Sequence, residues 1–277
     1  MSLETAFLQQ QWRFIDHSTL GLQWSPLHSF AYDDTFCTAV GKDASSSVLR
    51  TWVHENTIVL GIQDSRLPHL KEGVQFLREA GYDVIVRNSG GLAVVLDKNI
   101  LNLSLIVKET RGLSIDAGYD MMYSLIKAMF SDLPVDIVAK EIVGSYCSGS
   151  YDLSIENRKF AGISQRRIRG GVAIQIYLCV DDSGSERAKL IRRFYDIAVQ
   201  NKPTKYTVPS IQPNTMASLA ELLPIDVSVA GLIQRLLMTM KAHGAQLVQS
   251  SISEAEQTVF ISQLERITVR NERALEE

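Results

Sequence analysis

The spacing of apolar residues along the chain alternates between helical and strand periods. Residues 29–40 carry Phe30, Asp33, Asp34 and Cys37 at steps of three and four, which predicts a helix. Residues 52–53 and 57–60 are β-branched and aromatic, with His54-Glu55-Asn56 as a turn between them. An amphipathic helix is predicted over 70–80, stopped by Gly81. Strand patterns follow at 82–86, 92–96 and 101–107, and Met122, Leu125, Ile126 and Met129 line one face of a helix over 119–130. The middle is β in character. Residues 151–155 alternate, Glu156-Asn157 turns, 158–164 returns, Gly170-Gly171 turns again, and 172–180 runs as a long strand. The end is helical. Ser228 caps a helix striped by Val229, Leu232, Ile233, Leu236, Leu237 and Met240, which Gly244 ends. Ser253-Glu254-Ala255-Glu256 is a capping box that opens a last helix. Helices before, between and after the strands define an α+β class, a mixed β-sheet with flanking helices.

Composition narrows the picture. The chain has 277 residues, 45% of them apolar, which is enough to bury a full core and argues against disorder. We expect one domain over 1–277, with 214–277 as its C-terminal helical part. Pro203, Pro209 and Pro213 mark the only linker-like stretch. With 28 basic and 31 acidic residues the net charge is −3, so no electrostatic footprint for nucleic acid is present. Met1-Ser2-Leu3-Glu4-Thr5 lacks the basic region of a signal peptide, and the apolar runs are short of the roughly 20 residues of a membrane span. A cytoplasmic protein is expected. Its three cysteines, Cys37, Cys147 and Cys179, are widely spaced and read as reduced thiols.

Two segments depart from ordinary core or surface composition. In Val86-Arg87-Asn88-Ser89-Gly90-Gly91-Leu92-Ala93-Val94 a strand runs into a glycine pair and on into another strand. Such a pair allows either a simple turn or close approach of a ligand to backbone N–H groups. In Gly144-Ser145-Tyr146-Cys147-Ser148-Gly149-Ser150 a cysteine sits among small residues in a loop. Cys37 on a helix and Cys179 in an apolar strand read as core packing, whereas Cys147 lacks apolar flanks and is the candidate nucleophile. Twelve residues on, Lys159 lies among buried-looking neighbours on the return strand of a hairpin. An ammonium there would favour thiolate over thiol and would offset charge developing on an attacked carbonyl. The five histidines, His17, His28, His54, His69 and His243, sit in turn-like or surface-like sequence outside both segments. Metal-ligand spacing and a phosphate-binding loop of the G-x-x-x-x-G-K-[ST] type are both missing, so no metal and no cofactor are expected.

Together these segments resemble the lipoate/biotin protein ligase superfamily. Its strand–turn–strand motif R-R-x-S-G-G-G-A-V-F-H-D is matched by Arg87, Ser89, Gly90, Gly91, Ala93, Val94 and Asp97, with Val86, Leu92 and Leu96 as departures. Its downstream lysine hairpin is matched by Asp152, Leu153, Lys159, Gly162 and Gln165, and its N-x-A-x-D-E helix by the stretch from Ser29 to Asp34. The likeness runs from about Trp12 to the C-terminal helices. Cys147 stands where the cysteine-dependent octanoyltransferases of that superfamily carry theirs. The resemblance implies an amidotransferase. It would take octanoyl from the octanoylated glycine cleavage H protein and pass it to lysines on lipoyl domains of 2-oxoacid dehydrogenase complexes. Cys147 would then be the acyl-thioester nucleophile and Lys159 would lower its pKa or contact the carbonyl. Arg87, Ser89, Gly90, Gly91 and Gly162 would bind substrate. No ATP, nucleic acid or membrane is implied. Three other readings stay open: transfer from octanoyl-acyl carrier protein, ATP-dependent lipoate ligation, and a non-enzymatic acyl-protein binding module.

Overall fold

The computed structural model describes residues 10–88 and 90–276. Strand β1 (Gln11–His17) leads through a short turn into α1 (Leu27–Gly41), and β2 (Ser47–Trp52) follows. A compact unit comes next: β3 (Thr57–Leu60), α2 (Leu70–Glu79), β4 (Asp83–Val86) and β5 (Val94–Leu96). The chain then runs through β6 (Ile100–Lys108), α3 (Ile115–Met129), β7 (Val138–Ala139), β8 (Asp152–Ile155), β9 (Arg158–Ile168) and β10 (Gly171–Cys179). It ends with α4 (Gly184–Val199), α5 (Leu219–Leu222), α6 (Val229–Ala242), β11 (Gln246–Gln249) and α7 (Glu254–Glu276). Eight strands form one mixed sheet in the order β11-β1-β2-β6-β10-β9-β8-β7, and a second sheet has the order β4-β3-β5. The α+β expectation holds. Among the described residues no helix is long and apolar enough to cross a membrane.

Burial follows the two sheets. Leu103, Leu105 and Ile174 on one face of the large sheet pack with Met122, Leu125 and Ile126 of α3 and Leu236 of α6. A second cluster joins the small sheet (Ile58, Val59, Val95) to Ile191 and Phe194 of α4 and Ile267 of α7. Helix α1 is buried along most of its length, including its two adjacent acids, Asp33 and Asp34. Burying a carboxylate is costly unless it is paired. Asp33 accordingly accepts from Arg50 Nε at 2.9 Å, Ser104 Oγ at 2.8 Å and Gln175 Nε2 at 2.6 Å. Asp34 accepts from Asn88 Nδ2 at 3.1 Å, Arg166 Nε at 2.9 Å and Arg266 Nη2 at 2.9 Å. Both acids thus tie α1 to the large sheet, and Asp34 also ties it to the loop after β4 and to α7.

Three local expectations are revised. Strands at 52–53 and 57–60 do not pair: β2 belongs to the large sheet and β3 to the small one. The segment between them crosses from sheet to sheet. There His54, read as a turn residue, is fully buried, held by the Gly21 carbonyl at 2.7 Å and Ser29 Oγ at 2.9 Å. Second, β4 and β5 both flank β3, so Gly90 and Gly91 lie in a connection that crosses the small sheet and not in a simple turn between paired strands. Third, α4 has no counterpart in the apolar spacing read above. Its local signal is nonetheless present, since Ser183 Oγ caps the Glu186 N–H at 3.4 Å. The capping box at the last helix is as expected: Ser253 N–H donates to Glu256 Oε2 at 2.9 Å and Glu256 N–H to Ser253 Oγ at 3.3 Å.

Candidate active site

Cys147 lies in the loop before β8, partly exposed, with φ +47°. A non-glycine residue in the left-handed region costs on the order of 1–3 kcal/mol and persists only where its surroundings enforce it. Lys159 does the enforcing. Its side chain is fully buried on β9, and Nζ donates to the carbonyls of Tyr146 at 3.0 Å and Cys147 at 2.9 Å. The same Nζ pairs with Asp152 Oδ1 at 2.8 Å, with Ser145 Oγ farther off at 3.4 Å. An ammonium has three N–H groups, and these three short contacts use them. Burial pushes the Asp152 carboxyl above its ordinary value, while Lys159 and the Ile142 N–H pull it back.

Other groups face the sulfur itself. The Leu92 N–H donates to Cys147 Sγ at 3.2 Å, and Arg87 Nη2 lies 3.4 Å from it. Arg87 also donates to the Leu92 carbonyl at 2.6 Å. It is 8% exposed and its Nε has no partner among the described residues. Gly91 makes this arrangement possible. Its φ is +102°, and a Cβ there would stand 2.2 Å from Arg87 Nη2 and 3.1 Å from Cys147 Sγ. Behind it, Gly61 approaches so closely that a Cβ would meet the Gly91 carbonyl oxygen at 1.8 Å. The crossover is braced by Asp64, which accepts from the Gly61 N–H at 2.8 Å, Tyr195 Oη at 2.9 Å and Tyr206 Oη at 2.6 Å. Tyr195 Oη in turn accepts the Ala93 N–H at 3.3 Å.

The sulfur opens onto a cavity of about 280 Å³ between the two sheets. Phe30, Trp52, Val59, Val94, Leu96 and Ile176 supply apolar wall. Arg87, Gly90, Gly91, Cys147, Asp152 and Gly162 also line it, and no histidine does. At Gly162 a Cβ would stand 3.0 Å from the Tyr177 ring, so the missing side chain leaves that wall open. Of the residues expected to bind substrate, Arg87, Gly90, Gly91 and Gly162 come together here, and Ser89 lies outside the described residues. Two of the five histidines, His17 and His54, are buried. His17 is held down to about 3 by burial and then by Arg50, and His54 to about 4, mainly by burial. Among the described residues no cluster of side chains could hold a metal ion. Sequence spacing missed Leu92 and the tyrosine-braced Asp64, because both act through backbone groups or across the fold.

A mixed sheet flanked by helices carries a thiol at the mouth of a cavity with apolar walls. The chain belongs to the lipoyl protein ligase A/B catalytic domain family, whose model matches residues 25–241. It is 55% identical over 264 residues to an octanoyl-[GcvH]:protein N-octanoyltransferase from an Exiguobacterium species, covering 95% of this chain and 93% of that one. It is 52% identical over 268 residues to the protein of the same name from Geobacillus kaustophilus, with coverage of 96% and 95%. A lipoyl-[GcvH]:protein N-lipoyltransferase from Listeria monocytogenes is 48% identical over 277 residues, with coverage of 99% and 100%. Among solved structures, a lipoate-protein ligase A bound with ATP superposes with a TM-score of 0.70 at 15% identity, covering 94% and 95%. A bipartite lipoate protein ligase from Thermoplasma acidophilum gives 0.68 at 16%, covering 93% of each chain. These two likenesses are of fold.

Proposed function

We propose that the protein is an amidotransferase of protein lipoylation that works through an acyl-thioester on Cys147. The donor is the octanoylated lysine of the glycine cleavage H protein, and the acceptors are lysines of lipoyl domains. In the first step the Cys147 sulfur attacks the carbonyl carbon of the donor amide. The C–N bond breaks and the donor lysine leaves as an amine, taking the thiol proton. In the second step the neutral amine of an acceptor lysine attacks the thioester carbon. The C–S bond breaks and the thiol re-forms. One amide is exchanged for another, so the sequence is redox-neutral and needs no nucleotide. Splitting it through a thioester replaces one difficult displacement with two easier ones.

The observation that carries this reading is the placement of Cys147 Sγ at the cavity mouth with two donors on it, Leu92 N–H and Arg87. Donors so placed suit the negative charge that develops on sulfur and on the attacked carbonyl oxygen. Lys159 fixes the loop that carries the thiol, its own charge paired with Asp152. The apolar walls suit an octanoyl tail, whose burial contributes up to about 5 kcal/mol at ~0.8 kcal/mol per CH₂. The names of the relatives support the donor. Activity assays with each donor test it. Octanoylated H protein should support transfer to a lipoyl domain without ATP, and Cys147→Ala should abolish it. Transfer from octanoyl-acyl carrier protein alone would move the reading to that donor. Retained activity of Cys147→Ala with lipoate and ATP would make the protein a ligase. The Listeria relative supports a narrower question about the acyl group: lipoylated against octanoylated H protein, compared as donors, answers it.

A further inference from the structure

A groove of about 630 Å³ runs between the turn after β3 and helix α7. Arg66 lines one side, and Arg266, Arg270 and Arg273 line the other together with a single acid, Glu265, so the groove is basic by four charges to one. All four are exposed in a chain whose net charge is −3. On α7 the three arginines fall at i, i+4 and i+7, so they share one face. Like charges at that spacing weaken a helix. The helix dipole favours a cation in the last turn, which accounts for Arg273 alone. Arg266 pairs with Asp34, which it shares with Arg166, but Arg66, Arg270 and Arg273 have no carboxylate partner among the described residues. Val269, between them, is a half-exposed apolar contact at 40%.

The groove adjoins the reactive centre. Its near wall starts at Ile62, next to Gly61, whose backbone lies against Gly91, which in turn lies against Cys147 Sγ. Its far wall is bonded through Arg266 and Asp34 to Asn88, at the start of the same crossover. A protein that inserts a lysine, acylated or bare, at the Cys147 mouth must cover neighbouring surface. We propose that this groove is the docking surface for an acidic face of the lysine-bearing protein substrate, donor and acceptor alike, since one thiol serves both. The proposal rests on the amidotransferase reading. Electrostatic complementarity of this kind acts chiefly on encounter rate and partner choice.

The test uses the full chain with Arg270→Glu/Arg273→Glu and, separately, Arg66→Glu. With octanoylated H protein and with a lipoyl domain, KM should rise about ten-fold or more while kcat stays within about two-fold, because a reversed charge meets a like charge. The decline of kcat/KM with added salt should flatten in the variants. Acylation of Cys147 by octanoyl-N-acetylcysteamine, a small thioester that needs no docking, should keep its wild-type rate. Unchanged KM and salt dependence for both proteins would overturn the proposal, as would equal slowing with the small thioester. A variant that loses binding to a single-stranded oligonucleotide but not to either protein would also overturn it and assign the groove to nucleic acid. Should the wild type carry no octanoyl on Cys147, the amidotransferase reading fails by itself. Direct calorimetric binding of H protein and lipoyl domain to wild type and variants then still decides the groove.

Discussion

Two thiols in this molecule each sit beside an arginine, and only one of them opens onto a cavity. Cys179 on β10 is fully buried, and Arg187 Nη1 donates to its Sγ at 2.9 Å. Arg187 is itself neutralised by Asp97 through contacts of 2.7 and 3.0 Å. Burial pushes the Cys179 thiol up to about 12. Cys147 has the longer arginine contact, 3.4 Å, and among the described residues Arg87 forms no ion pair and keeps an unpaired Nε. A backbone N–H also points at Cys147 Sγ, and a cavity opens beside it. The difference teaches that a nearby cation does not mark a reactive cysteine. On the proposed mechanism, access does.

The largest contrast should come from the thiols. Cys147→Ala should lower transfer by at least about 10³-fold, as expected for loss of a covalent nucleophile. Cys179→Ala should leave kcat within about two-fold and lower stability by about 1 kcal/mol, measured by urea unfolding. Equal losses of activity in both would erase the distinction.

Removing each buried cation sharpens it further. Lys159→Met leaves Asp152 buried without its cation, and Arg187→Met does the same to Asp97. Each should cost roughly 3–5 kcal/mol of stability. Only Lys159→Met should also lose transfer in the fraction that remains folded, because Lys159 holds the left-handed loop. The double variant Lys159→Met/Asp152→Asn should recover much of the stability without recovering activity. Arg87→Leu should reduce transfer by about 10–100-fold, the worth of one hydrogen bond to a charged group, with Arg87→Lys between it and wild type.

The smallest effect at neutral pH belongs to the buried histidines. His54 titrates near 4 and His17 near 3 in the folded chain, against 6.5 when free. The unfolded chain therefore binds protons between about pH 6.5 and 4 that the folded chain refuses. The stability these neutral rings contribute is complete above pH 6.5 and falls as pH drops, by about 3 kcal/mol for His54. His54→Gln should flatten the decline of melting temperature between pH 6.5 and 4.5. An unchanged slope would remove burial of this ring as its cause.

Much of this contrast was legible in the chain. Small residues around Cys147 and apolar ones around Cys179 separated the two thiols before any geometry, and the period of each segment located most strands and helices. Partnerships were less legible. Nothing local distinguishes Asp152, which holds Lys159, from Asp97, which holds Arg187. The pairing of β4 and β5 with β3, and not with each other, depends on sheet order, which spacing does not encode. Leu92 contributes only its N–H, to which side-chain patterns are blind. Likewise, His54 looks like a turn residue because its partners, Gly21 and Ser29, are brought to it by the crossing of the chain between sheets.

Peptide-resolved mass spectrometry after incubation with octanoylated H protein separates the two cysteines most directly. The peptide containing Cys147 should gain the mass of one octanoyl group through a hydroxylamine-labile bond, and should lose it when a lipoyl domain is added. The peptide containing Cys179 should stay unmodified throughout. Transfer to the lipoyl domain with no adduct on Cys147 at any time, or an adduct on Cys179 that turns over, would contradict the thioester mechanism.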